Sequence, residues 1–470
     1  MADFFTASEG TGSRSSIGWR RAKRCGSAGD GQSVKAAELR SAPAIALVLG
    51  LLCLVPARGL AVMSAGQERA SRAGETEVSA LLQKAQEALG RNDFAAVVDL
   101  LQQVVKARPS ETAAWFNLGY AYTELHQPQQ AVAPYREAIE LDPDLFEARL
   151  NLGILLIRLN DPQGALEHLA KAATLKPDLP RPHLYYGRAL ALTGNAAGAE
   201  TQYQAALRLD PKLTITHYDL GQLYLHQKRY LEALAAFEKA LDAAPAQAKL
   251  GMALAAEGLQ DEANAAAYFE QYLAARPDDL ETRFHLARLY LEAGKNEQAY
   301  EGLETVYRAK PETPGLAAAL GDVCALLKKY PESETSYRQA LSAAPADPDL
   351  HRALAQTLLE QAKLAPAESE FRAALRANPR SREAAQGLAS SIYLQKRYAE
   401  AIPLLEALAR LPDAPAILVF ALASSYDHLH AVQKALDNYE RFLKFSQGRN
   451  PDQEWQATQR AKLLRHQLQK

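Results

Sequence analysis

Apolar side chains in residues 112–145 follow a helical spacing in two successive stretches. The first stretch places four residues at i, i+3, i+4 and i+7, on one face of a helix: Trp115, Leu118, Gly119 and Tyr122. The second stretch carries small and aromatic residues at comparable spacing, namely Ala131, Tyr135 and Ala138. Pro128 stands where a helix tolerates proline, and Pro143 ends the second stretch because it disfavours helical geometry in the preceding residue. The pattern predicts two helices joined by a turn.

This two-helix pattern recurs along the chain. Prolines stand at 109, 143, 177, 211 and 245, and the same constant spacing resumes at 277, 311, 345 and 379. Small residues recur where the two helices of a unit would cross, as at Gly119, Gly153, Gly187, Gly221 and Gly321. We delimit eleven units: 78–111, 112–145, 146–179, 180–213, 214–245, 246–279, 280–313, 314–347, 348–381, 382–415 and 416–446. A fixed period of this length predicts an array of one small structural unit.

The pattern resembles the tetratricopeptide repeat, whose signature is an aromatic residue, Leu-Gly and Tyr in the first helix and Ala, an aromatic residue, Ala and Pro in the second. Residues 112–145 match every one of these positions. The resemblance implies an all-α fold over residues 78–446, a right-handed superhelical solenoid of antiparallel helix pairs whose first helices line an inner groove. Residues 447–470 are expected to form a capping helix, with four residues on or near its apolar side: Trp455, Leu463, Leu464 and Leu468.

One unit departs from the period. Pro277 follows Pro245 two positions sooner than the constant spacing requires, and the Leu-Gly pair at Leu250 and Gly251 comes early. We therefore expect the first helix of unit 246–279 to be about one turn short, with a longer turn near residues 258–261 that compensates for the loss. A local bend between the first five and the last six units is a further expectation.

Residues 1–77 differ from the repeats. Residues 1–41 are polar, basic and rich in Gly and Ser, which predicts a disordered leader. Residues 42–61 begin with sixteen uncharged residues, from Ala42 to Ala57, and are interpreted as the apolar region of a signal peptide or as a membrane anchor. A translation start at Val34 would give a leader of ordinary length, and a buried helix of the folded protein is the alternative interpretation. Residues 62–77 are expected to be a linker.

The charges around this segment predict a location. Basic residues before the apolar segment favour export of the repeats that follow it. We therefore expect the protein in the periplasm or cell envelope of a bacterium, after cleavage of the signal or with the segment retained as an anchor.

Composition narrows the functional classes. Residues 1–61 carry eight basic and four acidic side chains, whereas the whole chain has a net charge of −2, so the repeats are mildly acidic. Without a basic stripe, nucleic-acid binding is not expected. The sequence lacks a phosphate loop, a zinc-type cysteine pair and a nucleophile motif, and we expect neither enzyme activity nor a cofactor or metal site. Three histidines, His183, His217 and His351, share the position of Trp115, which favours packing over metal ligation.

By the resemblance, the second, fifth, sixth, ninth and twelfth residues of a unit can face the inner groove. Apolar candidates at or near these positions suit a peptide: Phe116, Tyr120, Leu150, Ile154, Leu184, Tyr185, Tyr218 and Phe284. The alternative is that several of them pack between neighbouring first helices. Polar candidates on the same face are Asn117, Asn151, Gln222, Arg181, Arg188 and Arg288. The two asparagines are similar to the ladder that holds a peptide backbone in some family members, and the arginines could pair with acidic groups.

These observations favour a noncatalytic scaffold that binds a peptide segment of a partner protein in the groove. The alternative is a tetratricopeptide component of an exopolysaccharide or envelope-assembly machine that contacts glycan, because aromatic rings stack on sugars as well as on peptides.

Overall fold

The computed structural model describes residues 65–411 and 413–469, with side chains from residue 75, and this part of the chain consists of helices joined by turns. The basic leader and the apolar 42–61 segment lie outside the described residues. The helices are α1 (Ala65–Gly90), α2 (Phe94–Ala107), α3 (Thr112–Glu124), α4 (Pro128–Leu141), α5 (Phe146–Arg158), α6 (Pro162–Leu175), α7 (Pro180–Leu192), α8 (Ala196–Leu209), α9 (Thr214–His226), α10 (Tyr230–Lys239), α11 (Pro245–Gly258), α12 (Glu262–Ala275), α13 (Leu280–Glu292), α14 (Asn296–Ala309), α15 (Leu316–Leu326), α16 (Tyr330–Ala343), α17 (Pro348–Glu360), α18 (Leu364–Ala377), α19 (Arg382–Leu394), α20 (Tyr398–Ala409), α21 (Ala416–His428), α22 (Val432–Ser446) and α23 (Pro451–Leu468).

Within the described residues the helices follow one another as eleven pairs, from α1–α2 to α21–α22, and α23 packs on α22. The chain forms two compact units, one up to Tyr272 and one from Leu273. The predicted all-α solenoid of helix pairs with a C-terminal capping helix is confirmed. Residues 65–77, expected as a linker, belong to α1. Among the described residues, no helix combines the length and apolarity needed to cross a bilayer.

Each pair turns through a residue in the left-handed backbone region. The non-glycine examples include His126 with φ 58°, Lys228 with φ 62° and Gln260 with φ 62°, and glycine takes the same place at Gly194 and Gly294. Positive φ reverses the chain direction within a short turn and is least strained for glycine. Gln260 follows Lys228 two positions sooner than Lys228 follows Gly194, so the break in the period lies between Lys228 and Gln260.

In several pairs the two helices cross where a glycine meets a large side chain. A methyl group added at Gly221 of α9 would lie 2.7 Å from the Phe237 ring of α10, and one added at Gly251 of α11 would overlap the same ring. Tyr135 lies against Gly119 in the same way, and neither ring is more than 1% exposed. Close approach of the backbones therefore depends on the missing Cβ atom.

A repeated hydrogen bond attaches each of several loops to the helix that follows. The carbonyl oxygen of the loop proline accepts from a side chain further along the chain: Trp115 Nε1 lies 2.8 Å from the Pro109 oxygen, and His351 Nε2 lies 3.0 Å from the Pro345 oxygen. The same contact joins His183 to Pro177, Arg149 to Pro143 and Arg283 to Pro277. Trp, His and Arg share this position because each carries a ring or guanidinium N–H at a suitable reach.

Ion pairs also link consecutive helix pairs. A glutamate on a second helix binds a basic residue in the turn of the next pair: Glu200 with Arg229 at 2.8 Å, Glu334 with Lys363 at 2.7 Å and Glu368 with Arg397 at 2.6 Å. The sequence separation is the same in all three. Surface pairs of this kind contribute little individually. Their regular placement aligns one pair on the next.

The phase break lies in a different helix from the one expected. α11 has 14 residues and is not short, and the turn after it has the usual length, so both expectations for unit 246–279 are wrong. The shortening falls in the preceding second helix, since α10 has 10 residues where α8 has 14. Pro245 is the first residue of α11, a position that tolerates proline, whereas Pro143 lies in the loop just after the end of α4. The expected bend stays a prediction.

The capping helix buries a different face from the one expected. Ala457, Ala461 and Leu464 of α23 are buried, whereas Trp455 is 67% exposed and Leu463 is 55% exposed. Small residues allow α23 to lie close to α22, which a tryptophan on the same face would prevent. Leu468 is also exposed, at 45%. The placement of Trp455, Leu463 and Leu468 on or near the apolar side is therefore wrong, and that of Leu464 is correct.

Gly221→Ala is expected to lower the free energy of unfolding by about 1–3 kcal/mol, because the added methyl group overlaps a ring that Gly251 confines on its other side. Gly90→Ala is the matched control. A methyl group at Gly90 meets no atom within 4 Å, so this variant should be neutral or slightly stabilised. Urea unfolding followed by circular dichroism measures both, and equal effects would contradict the proposed crossing constraint.

Candidate functional site

The first helices of successive pairs contact one another. In the unit up to Tyr272 these contacts join α5 to α7, α7 to α9 and α9 to α11, and in the unit from Leu273 they join α13 to α15, α15 to α17 and α17 to α19. All the candidate groove residues lie on these helices or on α3. We use the name first-helix face for the half-buried row on α3, α5, α7 and α9: Asn117, Tyr120, Asn151, Arg188, Asp219 and Gln222.

Six of the apolar candidates lie in the core. They are Phe116, Leu150, Ile154, Leu184, Tyr185 and Tyr218, none of which is more than 8% exposed. The Phe116 and Tyr135 rings lie 5.9 Å apart, and the Tyr218 and Phe237 rings lie 5.8 Å apart. These side chains pack between helices, as the alternative interpretation expects, and offer little surface to a ligand.

The polar candidates are half-buried, and several of them have partners within the protein. Asn151 contacts the Tyr135 hydroxyl, and Gln222 Nε2 donates to the Tyr218 hydroxyl at 3.1 Å. Burial raises the pKa of Tyr135 far above its usual range, so this hydroxyl stays protonated. Asn117 and Asn151 occupy equivalent places on α3 and α5 and are both half-buried. Side-chain amides of this kind can both donate to and accept from a peptide backbone.

Arg188 already has an acidic partner in its own chain. Its Nε lies 2.6 Å from Asp219 Oδ2, and the two side chains are 20% and 13% exposed. The pair joins α7 to α9. Burial raises the pKa of Asp219, and the guanidinium of Arg188 opposes this shift. Arg188 is therefore committed to positioning two first helices instead of awaiting an acidic ligand.

The remaining candidates are partly exposed. Tyr120 is half-buried and packs edge-on against Phe94, with ring centroids 5.9 Å apart. The Arg181 guanidinium lies 5.7 Å from the centre of the Tyr185 ring. Phe284 and Arg288 are half-buried on α13, in the unit from Leu273.

A cavity opens beside α15. Its volume is about 590 Å³, within the usual range for ligand sites, and its walls come from the 310–315 loop, α15, α16 and α17. We call it the α15 cavity. Small apolar residues form much of the wall: Ala317, Ala318, Ala340, Ala343, Ala344 and Ala353.

Local sequence explains why the cavity lies here. Unit 314–347 is expected to start its first helix near residue 314, yet α15 starts at Leu316 because Gly315 adopts φ 78° before it. The loop before α15 therefore spans 310–315 and is longer than the loop before α17, which spans 344–347. The position that elsewhere bonds the loop proline is Ala317, which has no side-chain donor for Pro311.

Asp322 is the buried carboxylate in the wall of the α15 cavity. It is 5% exposed, and Tyr337 donates its hydroxyl to Asp322 Oδ1 at 2.6 Å. Burial raises the pKa of Asp322 to about 6, while Tyr337 and Arg352 act in the opposite direction. A carboxylate kept ionised at neutral pH in this setting costs stability, which is common at binding sites.

Other charges around the cavity are mostly acidic. Glu312, Asp347 and Asp349 line it, and Arg352 is the basic residue among its lining side chains. Arg352 Nε lies 3.9 Å from Asp349 Oδ1, and Asp347 accepts from the backbone N–H groups of Asp349 and Leu350 at the start of α17. The lining therefore carries four carboxylates against one guanidinium.

The cavity residues are absent from the sequence-based candidates. Asp322 occupies the ninth position of its unit, directly after the Leu-Gly pair, where Tyr120 and Arg188 were selected. A carboxylate directly after Leu320 and Gly321, where the two helices of the unit cross, is a sequence signal that could have identified Asp322. The sequence does not reveal the delayed start of α15, because Pro314 is also compatible with a helix that begins at that residue.

His183, His351 and Cys324 have structural contacts within the helix pairs. No group of three His, Cys, Asp or Glu side chains among the described residues could hold a metal ion. His183 and His351 bond loop carbonyls. Cys324 is 2% exposed, and burial raises the pKa of its thiol to about 11, so it packs as a small apolar residue.

Asp322→Asn is expected to stabilise the protein at pH 7.5, by at most about 3 kcal/mol, because the folded state raises the pKa of this carboxyl. A raised carboxyl pKa costs nothing below the unfolded value of about 4, and the cost grows as the pH rises towards and beyond the folded pKa of about 6. The advantage of the variant should therefore vanish at pH 4. Urea unfolding at several pH values tests this, with exposed Asp278→Asn as control, and a pH-independent difference would contradict it.

Comparison with known proteins places these features in a family. Profiles described as Tetratricopeptide repeat match five stretches: 112–145, 150–214, 215–247, 258–323 and 352–416. Tetratricopeptide repeat protein 37 of Xenopus laevis is 40% identical over 68 residues, which are 14% of this chain and 4% of that protein. The matched stretch thus spans a small part of that relative's length.

Two solved structures show similarity at lower identity. MamA from Desulfovibrio magneticus RS-1 is 20% identical, with a TM-score of 0.34 over 35% of this chain and 94% of that chain. The Pseudomonas aeruginosa pilF structure is 21% identical, with a TM-score of 0.38 over 46% of this chain and 99% of that chain. The profile matches, together with the repeated helix pairs described above, show that the chain belongs to the tetratricopeptide-repeat family.

Proposed function

We propose that this protein is an exported, noncatalytic interaction scaffold that binds an extended segment of a partner protein along the first-helix face. Tetratricopeptide-repeat proteins are generally scaffolds that bind protein partners. The observation that carries the proposal is a set of half-buried amides on one face of the first helices: Asn117 on α3, Asn151 on α5 and Gln222 on α9.

The burial of the aromatic candidates means that amide groups, and not aromatic rings, would supply most of the affinity for a peptide. Phe116, Tyr185 and Tyr218 are core residues, so aromatic anchoring by their rings is not available to a ligand. Recognition along this face rests instead on amide groups that bond a peptide backbone, with Tyr120 as a partly exposed ring. The burial of these three rings also leaves less aromatic surface for stacking on a glycan, namely the partly exposed rings of Tyr120 and Phe284.

A triple variant, Asn117→Ala, Asn151→Ala and Gln222→Ala, is expected to weaken partner binding at least about tenfold, since each lost amide removes backbone contacts. The matched control changes exposed amides on second helices, Gln129, Gln163 and Gln204, to Ala. Both full-length variants serve as bait against envelope extracts, with quantitative mass spectrometry of the bound proteins. Equal recovery by wild type and the first-helix variant, with unchanged thermal melting, would reject this face as the binding surface.

Export by residues 42–61 is tested with a C-terminal alkaline phosphatase fusion, which is active only outside the cytoplasm. Leu51→Arg with Leu54→Arg should abolish phosphatase activity, because charges prevent the apolar segment from entering the membrane. Arg20→Ala with Arg21→Ala is the control and should leave activity unchanged, since this arginine pair lies far from the apolar run. Mass spectrometry of the mature N-terminus then distinguishes cleavage from a retained anchor. Activity that survives the leucine changes would refute export by this segment.

A further inference from the structure

We infer that the α15 cavity binds a basic side chain, lysine or arginine, presented by a peptide segment of the partner. This inference rests on the proposed function and names a second contact with such a partner. It concerns residues on α15, α16 and α17, all in the unit from Leu273.

The shape of the cavity suits a long aliphatic stem that ends in a cation. Its walls are largely alanine, including Ala318 of α15 and Ala353 of α17, and its volume of about 590 Å³ exceeds that of one side chain. Lys and Arg bury their methylene groups along apolar surface and direct the charged end to a polar partner. The carboxylate of Asp322 is that partner, since it is only 5% exposed and lines the cavity.

Charge determines the sign of the ligand. Glu312, Asp347 and Asp349 add to Asp322, and Arg352 alone opposes them among the lining residues. An anion would enter a net negative site, whereas a cation gains attraction in a poorly solvated place. Tyr337 from α16 and Arg352 from α17 are the groups that act on Asp322. Tyr337 holds one carboxylate oxygen by its hydroxyl, which orients the carboxylate in the wall.

The irregular loop provides the entrance. Pro311, Pro314 and Gly315 line the cavity, and the late start of α15 removes the helical residues that would otherwise stand there. A site formed by an extra-long loop on a rigid helix pair is a common arrangement for recognition.

Calorimetry of the full-length protein at low ionic strength and pH 7.5 tests this inference. The probes are Ac-Ser-Gly-X-Gly-Ser-amide, with Arg, Lys, Gln or Glu at X. Arg and Lys probes should bind at least tenfold more tightly than the Gln and Glu probes. Asp322→Asn should remove that preference, and Asp278→Asn, an exposed carboxylate outside the cavity, should keep it. Equal binding of all four probes to wild type would overturn the inference.

Two further arms test whether the cavity itself holds the side chain. Ala318→Leu fills the cavity without changing a charge, and should also lose the Arg preference; retention would overturn the cavity as the site. Lowering the pH from 7.5 to 5 should weaken the Arg probe by about tenfold as Asp322 is protonated. A Gln probe with an unblocked N-terminus that binds as tightly as the Arg probe would overturn the side-chain assignment in favour of an amine terminus.

The outcomes also distinguish this inference from the proposed function. If the Asn117, Asn151 and Gln222 variant loses its partner while Asp322→Asn changes no probe affinity, the scaffold proposal stands and the cavity inference fails. If Asp322→Asn removes Arg binding while the first-helix variant recovers the partner unchanged, the cavity stands and the first-helix face fails.

Discussion

Helix pairing depends on the contact between a small residue on one helix, a glycine in five of the pairs described, and a large side chain on the next. Gly221 and Phe237 illustrate it, because the ring fills the space that a Cβ atom would occupy. Packing of this density makes every later element sensitive to the crossing geometry. One pair has little core of its own, so neighbouring first helices supply the rest, and each compact unit acquires a continuous row of first helices as a result.

Much of the architecture could be predicted from the sequence. The period predicted the helix pairs, since Gly119, Tyr135 and their equivalents recur in phase and each has a direct packing reason. The two-residue break was detected but assigned to the wrong helix. The loss of two residues can shorten either the helix before Pro245 or the helix after it. Proline is compatible both with the loop just after a helix and with the first position of the next helix.

The candidate site was predictable only in part. The position of a residue within the repeat predicted that it lies on a first helix. It did not predict how much of each side chain is exposed. Leu150 is fully buried and Asn151 next to it is half-buried, because successive residues on a helix point in different directions and only one of them faces the neighbouring helices. The α15 cavity was missed for another reason. It arises because the backbone at Gly315 departs from the repeat and delays the start of α15. A pattern shared by all the units does not show such a local departure.

The ion pairs between a second-helix glutamate and the basic residue in the following turn have a consequence for how such a chain can grow. Where both partners recur in phase, as at Glu334 with Lys363 and Glu368 with Arg397, a duplicated repeat brings both halves of its own connection with it. Glu334 would meet the basic residue of an inserted copy as readily as it meets Lys363. Duplication of a repeat is therefore well tolerated where the units are regular. It is disruptive across the shortened α10, because a copy of that unit would not keep the sequence separation on which these ion pairs depend.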